Sequence, residues 1–241
     1  MHNLLVEIGN TAVKATWSDG MTLGKIYRYQ GEKAFDFILS LLEGERADVM
    51  VLSSVSDIPL KWKSTLSGRC RELVLMDSQN TAVNASHQIP GWISPDRAAS
   101  IIASRFLFKG KAVTVFDFGT TISVDRTDAE GRYVSGAISP GCRTRFKSIY
   151  RYSKSLPLLD TPEEVPSAGT SLNSAIEYGI ISGIMFEIQG HLDCNPGNIA
   201  VFTGGDANFF AKKMKNSIFV VCNLVLMGLA LVAEEFYESK L

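Results

Sequence analysis

"VFDFGTTISVDRTDAEGRYVSG", Val115 to Gly136, drives an apolar run into a carboxylate, Asp117, and follows it at once with Gly119, Thr120 and Thr121. Apolar residues resume at Ile122 and Val124, and a second turn rich in Asp and Gly comes after them. The alternation predicts strand, tight turn, strand, turn, strand. "NLLVEIGNTAVKATWSDGMTLGKIYRYQ", Asn3 to Gln30, predicts the same three-stranded meander. An offset of 110 residues carries Glu7-x-Gly9-x-Thr11 onto Asp117-x-Gly119-x-Thr121. A self-similar unit of this size predicts two like α/β domains facing each other across a cleft.

The segments after each meander support the duplication. In the first half "EKAFDFILSLLEG" has helical spacing and stops at Gly44. "ADVMVLSSV" reads as a buried parallel strand, "IPLKWKSTLSGR" as a helix, and "ELVLMD" as a further strand. "SPDRAASIIASRFLF" predicts a helix with Ser94 as N-cap and Pro95 at its first position. In the second half "CRTRFKSIYRYS" and "SLNSAIEYGIISGIMFEIQGHL" read as helices, "NIAVFTGGD" as a strand ending in a Gly-Gly turn, and "ANFFAKKM" as a short helix. The junction falls at Lys109–Lys111, giving domains 1–110 and 111–241.

Composition narrows the function. The chain of 241 residues has a net charge of −1 and no Lys/Arg block, which argues against nucleic acid and an anionic membrane as partners. "IFVVCNLVLMGLALVA", Ile218 to Ala233, imitates a membrane span but is broken by Asn223 and falls short of about 18–20 apolar residues. It predicts a buried strand over 218–222, Asn223 as N-cap, and a buried helix ending in "EEFYESK". Cys70, Cys142, Cys194 and Cys222 form no CxxC pair. With no signal peptide in view, they read as reduced thiols in a cytoplasmic chain, and zinc is not expected. His2 and His191 have no evident partners, so a Ser/His/Asp triad is not expected.

The two acidic-x-Gly-x-Thr turns suggest phosphate chemistry. Glycine lets backbone N–H groups come close to an anion, threonine hydroxyls add donors, and a carboxylate can hold a cation that binds phosphate. Taken singly, Gly9 and Gly119 could equally be hairpin glycines. The duplication together with "TGGD", Thr203 to Asp206, points to a nucleotide. Asp96 at a helix start could accept a proton or simply complement the helix dipole. Arg97 could bind a carboxylate or make a surface ion pair, and Lys14 could meet phosphate or sit on a solvated strand face.

These motifs together resemble the acetate kinase, sugar kinase and actin superfamily, which implies two ribonuclease-H-like (actin-like ATPase) domains, each a mixed five-stranded sheet with flanking helices. Within it, the whole chain resembles type III pantothenate kinase. The carrying motifs, in family order, are "EIGNTAVK" (Glu7–Lys14), "SPDR" (Ser94–Arg97), "DFGTTISVD" (Asp117–Asp125), "SGAISPG" (Ser135–Gly141), Leu156–Pro157, Thr170 and "TGGD". The resemblance implies ATP-dependent phosphorylation of pantothenate to 4′-phosphopantothenate, the first step of coenzyme A synthesis, in a bacterial cytoplasm. It implies Mg²⁺, a monovalent cation (K⁺ or NH₄⁺) and a homodimer.

By the same resemblance Asp96 is the general base, and Arg97, with Ser94 and Pro95, holds the acceptor. Glu7, Ile8, Gly9, Asn10, Thr11, Ala12, Val13 and Lys14, with Thr120, bind the nucleotide. Asp117 holds the monovalent cation, and His87 and Thr170 reach the substrate. The chain departs from the family at Glu7, where Asp is usual, at Ser94-Pro95 in place of Gly-Ala, at Thr121 in place of Ala and at Ser135 in place of Gly. These departures leave open a catalytically weak or inactive nucleotide-binding or regulatory relative. An ATPase acting on a protein partner is a third possibility, disfavoured because Arg97 suits a small carboxylate.

Overall fold

A computed structural model describes residues 1–238. The chain divides into two compact units, one of Met1–Lys109 with the segment from Asn223 onward, the other of Gly110–Cys222.

In the first unit β1 (His2–Ile8) pairs antiparallel with β2 (Val13–Asp19) and parallel with β4 (Ala47–Ser54). With β3 (Thr22–Tyr29) and β5 (Cys70–Met76) the sheet order is β3-β2-β1-β4-β5. β4 lies between two parallel neighbours and is buried along almost its whole length, as its apolar run Val49–Leu52 predicts. Helices α1 (Ala34–Ser40) and α2 (Leu60–Ser67) bring Ile38 and Leu66 to a core with Leu4, Val6, Met50 and Leu52. After β5 come the short α3 (Ala82–Ser86), which the sequence pattern did not signal, and α4 (Pro95–Leu107).

The second unit repeats this topology. β6 (Val113–Phe118), β7 (Thr121–Thr127) and β8 (Tyr133–Pro140) form the meander, β9 (Ile199–Gly204) pairs parallel with β6, and β10 (Ile218–Val220) pairs parallel with β9. The order β8-β7-β6-β9-β10 matches that of the first sheet strand for strand. Helices α5 (Cys142–Tyr152) and α6 (Leu172–Asp193) and the short α7 (Ala207–Ala211) accompany the sheet. Phe116, Phe118, Phe202 and Phe210 form an aromatic core under the isoleucines of α6.

Two expectations change at the C-terminus. The strand over 218–222 is a half-exposed edge strand of three residues. The helix after it, α8 (Leu224–Glu238), packs on α4, β1 and β4 of the first unit, so 111–241 is not one domain. Its apolar surface needs burial, and α4 offers a strip of Ala98, Ala99 and Ala103. The helices meet so closely at Gly228 that a Cβ there would lie 2.0 Å from the Ala99 carbonyl oxygen. The last residues of "EEFYESK", beyond Glu238, lie outside the described residues.

Among the described residues no helix is long and apolar enough to cross a membrane. Burial pushes the Cys70 thiol up to about 11, leaving it a poor nucleophile. His2 and His191 do have partners. His2 stacks on Trp17 and its Nε2 lies 2.6 Å from Glu45 Oε2. Arg126 Nη2 of β7 lies 2.8 Å from His191 Nδ1 of α6, a contact that requires neutral imidazole as acceptor. Burial first, and then the Arg126 charge, hold His191 below the ordinary imidazole range. The unfolded chain therefore takes up this proton at higher pH than the folded one, so the contribution is complete above about pH 6.5 and declines as pH falls toward the lower folded value. Thermal melts between about pH 8 and 5 should show a steeper loss in the wild type than in His191→Gln. Identical curves would contradict this account.

Candidate active site

In the first unit, alternation along β1 sends Leu4 and Val6 into the core beside α1 and α2. Asn3, Leu5 and Glu7 face the other way, where Asn3 Nδ2 donates to Glu234 Oε1 of α8 at 3.2 Å. Lys14 is the cross-strand partner of Glu7, so both side chains share that face, and Lys14 Nζ lies 3.3 Å from Glu7 Oε2. Burial is the main influence lifting the Glu7 carboxyl above the usual carboxylate range. The Lys14 charge opposes it and the Asp96 charge adds to it, which places Asp96 in the same local field. The longer Glu side chain thus buries a carboxylate against a lysine of the neighbouring strand.

Asp96 lies in the first turn of α4. Ser94 holds the N-cap position in extended backbone and Pro95 follows it, but the Ser94 hydroxyl makes no cap hydrogen bond. Asp96 Oδ1 instead accepts the Arg97 N–H at 2.9 Å, so Asp96 does organise the helix start. Arg97 is only 6% exposed, and its guanidinium carbon sits 5.6 Å from the centre of the Trp92 ring.

The β1–β2 turn uses the Gly9 N–H internally, donating to Ala12 O at 3.0 Å. Gly9 does not adopt left-handed backbone, and a Cβ there would meet nothing closer than Ala12 O at 3.4 Å. The turn itself does not demand glycine. Asn10 and Thr11 form its exposed tip. Ile8 and Val13 pack against the core and pair with each other across the ladder, and the Ile8 carbonyl also accepts the Val55 N–H at 3.2 Å, so they shape the turn and do not present side chains to a ligand.

In the second unit Asp117 pairs in register with Ser123 and Thr203, on the face opposite the aromatic core. Gly119 N–H closes its own turn onto Thr121 O at 3.0 Å, and Thr120 stands at the exposed tip. Two other glycines are sterically required. A Cβ on Gly141 would lie 2.1 Å from Gly119 O, and Gly141 N–H donates to Thr120 O at 3.0 Å. Thr144 Oγ1 holds the same carbonyl at 2.6 Å. Gly204, at φ +89°, would put a Cβ 2.4 Å from Asp117 Oδ1. "SPG" and "TGGD" therefore clasp the turn after β6 from two sides. Asp206, on the same turn, is held above the usual carboxylate range by burial and then by Asp160.

Two predicted residues stand apart from these groups. His87 closes α3 and its Nε2 lies 2.8 Å from Glu235 Oε2 of α8, with Arg105 donating to its carbonyl at 2.7 Å. Thr170 is exposed on the approach to α6, its N–H donating to Ser174 Oγ at 3.0 Å. Sequence reasoning missed Trp92 because an aromatic in a loop carries no periodicity to read. Among the described residues no three or more His, Cys, Asp or Glu side chains could hold a metal together.

A family model described as type III pantothenate kinase matches residues 3–193. The chain belongs to this family. A type III pantothenate kinase of Phocaeicola vulgatus is 32% identical over 99% of the chain and 100% of its own length. A Campylobacter jejuni protein described as of the Baf family of transcriptional activators superposes with a TM-score of 0.64 at 19% identity, covering 98% of this chain and 99% of that one. A ROK hexokinase from Thermus thermophilus does so with a TM-score of 0.56 at 13% identity, covering 98% and 100%. The two structural likenesses bear on the fold, which is the two-domain, ribonuclease-H-like architecture of sugar kinases and actin-like ATPases.

Proposed function

We propose that this chain transfers the γ-phosphoryl group of ATP to the primary hydroxyl of pantothenate, giving 4′-phosphopantothenate and ADP, with Asp96 as general base. The observation that carries the assignment of roles is the convergence on α4: Asp96 in its first turn lies in the field of Glu7, whose side chain is 13% exposed, and Arg97 is adjacent. The acceptor hydroxyl gives its proton to Asp96 as its oxygen bonds to the γ-phosphorus and the bond to the β–γ bridging oxygen breaks. Arg97 pairs with the pantothenate carboxylate, where a planar fork suits a planar acceptor. Lys14, Asn10, Thr11 and Thr120 serve the phosphates. Gly9 and Gly119, which their turns do not require, keep that approach open.

Mg²⁺ bound with the nucleotide supplies charge neutralisation at the transferring phosphoryl group. A monovalent cation, K⁺ or NH₄⁺, is assigned to Asp117, whose carboxylate stands on the sheet face opposite the aromatic core and supplies the oxygen ligands such an ion prefers. An exposed stripe on α6, of Leu172, Ala175, Tyr178, Gly179 and 72%-exposed Phe186, supports a homodimer. The ordinary composition and near-neutral charge suit a cytoplasmic enzyme. The test is ADP release from Mg-ATP with pantothenate present or omitted, in potassium or in sodium. Turnover that needs pantothenate and rises with potassium is expected. Pantothenate-independent turnover would make the chain an ATPase, and none at all would make it a nucleotide-binding relative.

A further inference from the structure

We propose that Trp92 is a positioning residue for the acceptor, holding the Arg97 guanidinium in the orientation that meets the acceptor's carboxylate. The proposal rests on the acceptor-binding role of Arg97. Trp92 is 67% exposed while Ile89 and Ile93, on either side of it in the same loop, are buried. A large apolar ring left in solvent is not there for the core. Its ring centre lies 5.6 Å from the Arg97 guanidinium carbon, within the range of a cation–π contact.

The loop is built to present that ring. Asn84, only 3% exposed, donates through Nδ2 to Pro90 O at 3.2 Å and to Ile93 O at 2.9 Å, clamping both ends of the turn that carries Trp92. Ile93 N–H closes the turn on Pro90 O at 3.0 Å, and Ile89 N–H is held by Asn84 O at 2.8 Å. Gln88 enters the loop in left-handed backbone at φ +54°, a conformation that costs a residue with a Cβ. His87, the aromatic expected beside the acceptor, is bound to Glu235 instead. The ring against Arg97 belongs to Trp92. A guanidinium held against an aromatic ring loses less rotational freedom when it pairs with a carboxylate.

The experiment measures KM for pantothenate and for ATP in Trp92→Ala and Trp92→Phe. Alongside, calorimetric pantothenate binding with a non-hydrolysable ATP analogue gives a readout that does not need turnover. Trp92→Ala should raise the pantothenate KM and Kd roughly tenfold and leave the ATP KM unchanged, with Trp92→Phe recovering most of the loss. A pantothenate Kd unchanged in Trp92→Ala, or an equal rise in the ATP KM, would overturn the proposal. So would a Phe variant as weak as the Ala variant. Arg97→Lys separates the two assignments. If it leaves pantothenate binding unchanged, the role of Arg97 fails. If it weakens binding while Trp92→Ala does not, the role of Trp92 alone fails.

Discussion

Replacing Asp96 with Asn should lower kcat for pantothenate phosphorylation by about 10²–10⁴-fold, the contribution of a positioned general base. The change is nearly isosteric. Asn keeps an Oδ1 that can accept the Arg97 N–H, so the first turn of α4 should survive. Nucleotide affinity and melting temperature should stay close to wild type, because the β1–β2 turn and the packing of α4 on α8 are untouched. A second consequence reaches Glu7. Burial is the first cause of its raised pKa and persists in the variant, but the Asp96 charge that adds to it is gone. The Glu7 carboxyl should therefore move back toward its ordinary range, readable in an NMR titration of that carboxyl. Stopped-flow or steady-state ADP assays with matched melts check the main claim. A variant that keeps most of its kcat would remove Asp96 from the base role and leave it as the residue that organises the helix start.

Gly204→Ala should damage both stability and cation dependence. The backbone at Gly204 has φ +89°, which an L side chain rarely adopts, and the new Cβ would meet Asp117 Oδ1 at 2.4 Å, Phe118 O at 2.5 Å and Phe118 N at 2.6 Å. The two Phe118 atoms are backbone and cannot swing away. Phe118 pairs with Gly204 in the β6–β9 ladder, and its side chain is locked among Phe116, Phe202 and Phe210. Backbone strain and overpacking together should cost about 3 kcal/mol, which for a chain of this size lowers Tm by roughly 6–12 °C. The Asp117 carboxylate is the most movable of the three contacts, and under the proposed assignment of the monovalent cation to Asp117 its displacement should also weaken stimulation by potassium. Gly205→Ala is the control, since its Cβ would meet only Phe118 O at 3.9 Å. A Gly204→Ala protein that melts with the wild type would contradict this account.

The duplicated meander was legible because period-2 alternation and turn chemistry are local properties, and two copies of one pattern constrain each other. The strand orders agree with that reading in both units. α8 was legible as a buried helix but not as a partner of α4. Apolar composition says that a surface must be covered, not what covers it, and the match of Gly228 to Ala99 exists only once both helices are placed. In the site, Asp96, Arg97 and the two turns could be found from motif order. The Glu7–Lys14 pair needed the register of β1 against β2, which sets residue 7 opposite residue 14. Gly141 looked like part of a motif string, and its close approach to Gly119 is a fact of two distant segments meeting.

His87 and Trp92 mark the division most sharply. Both are rings in one loop before α4, and nothing in their local sequence says which faces the arginine. The hydrogen bonds of Asn84, Arg105 and Glu235 decide it, turning His87 to α8 and Trp92 to Arg97. The amino-acid sequence by itself determined the repeat, the strands and helices it implies, and the residue types able to handle phosphate and a carboxylate, because these arise from short-range periodicity and side-chain chemistry. Only the tertiary structure decided which helix covers the first sheet, which glycines are sterically required and which ring holds Arg97, because each depends on contacts between segments far apart along the chain.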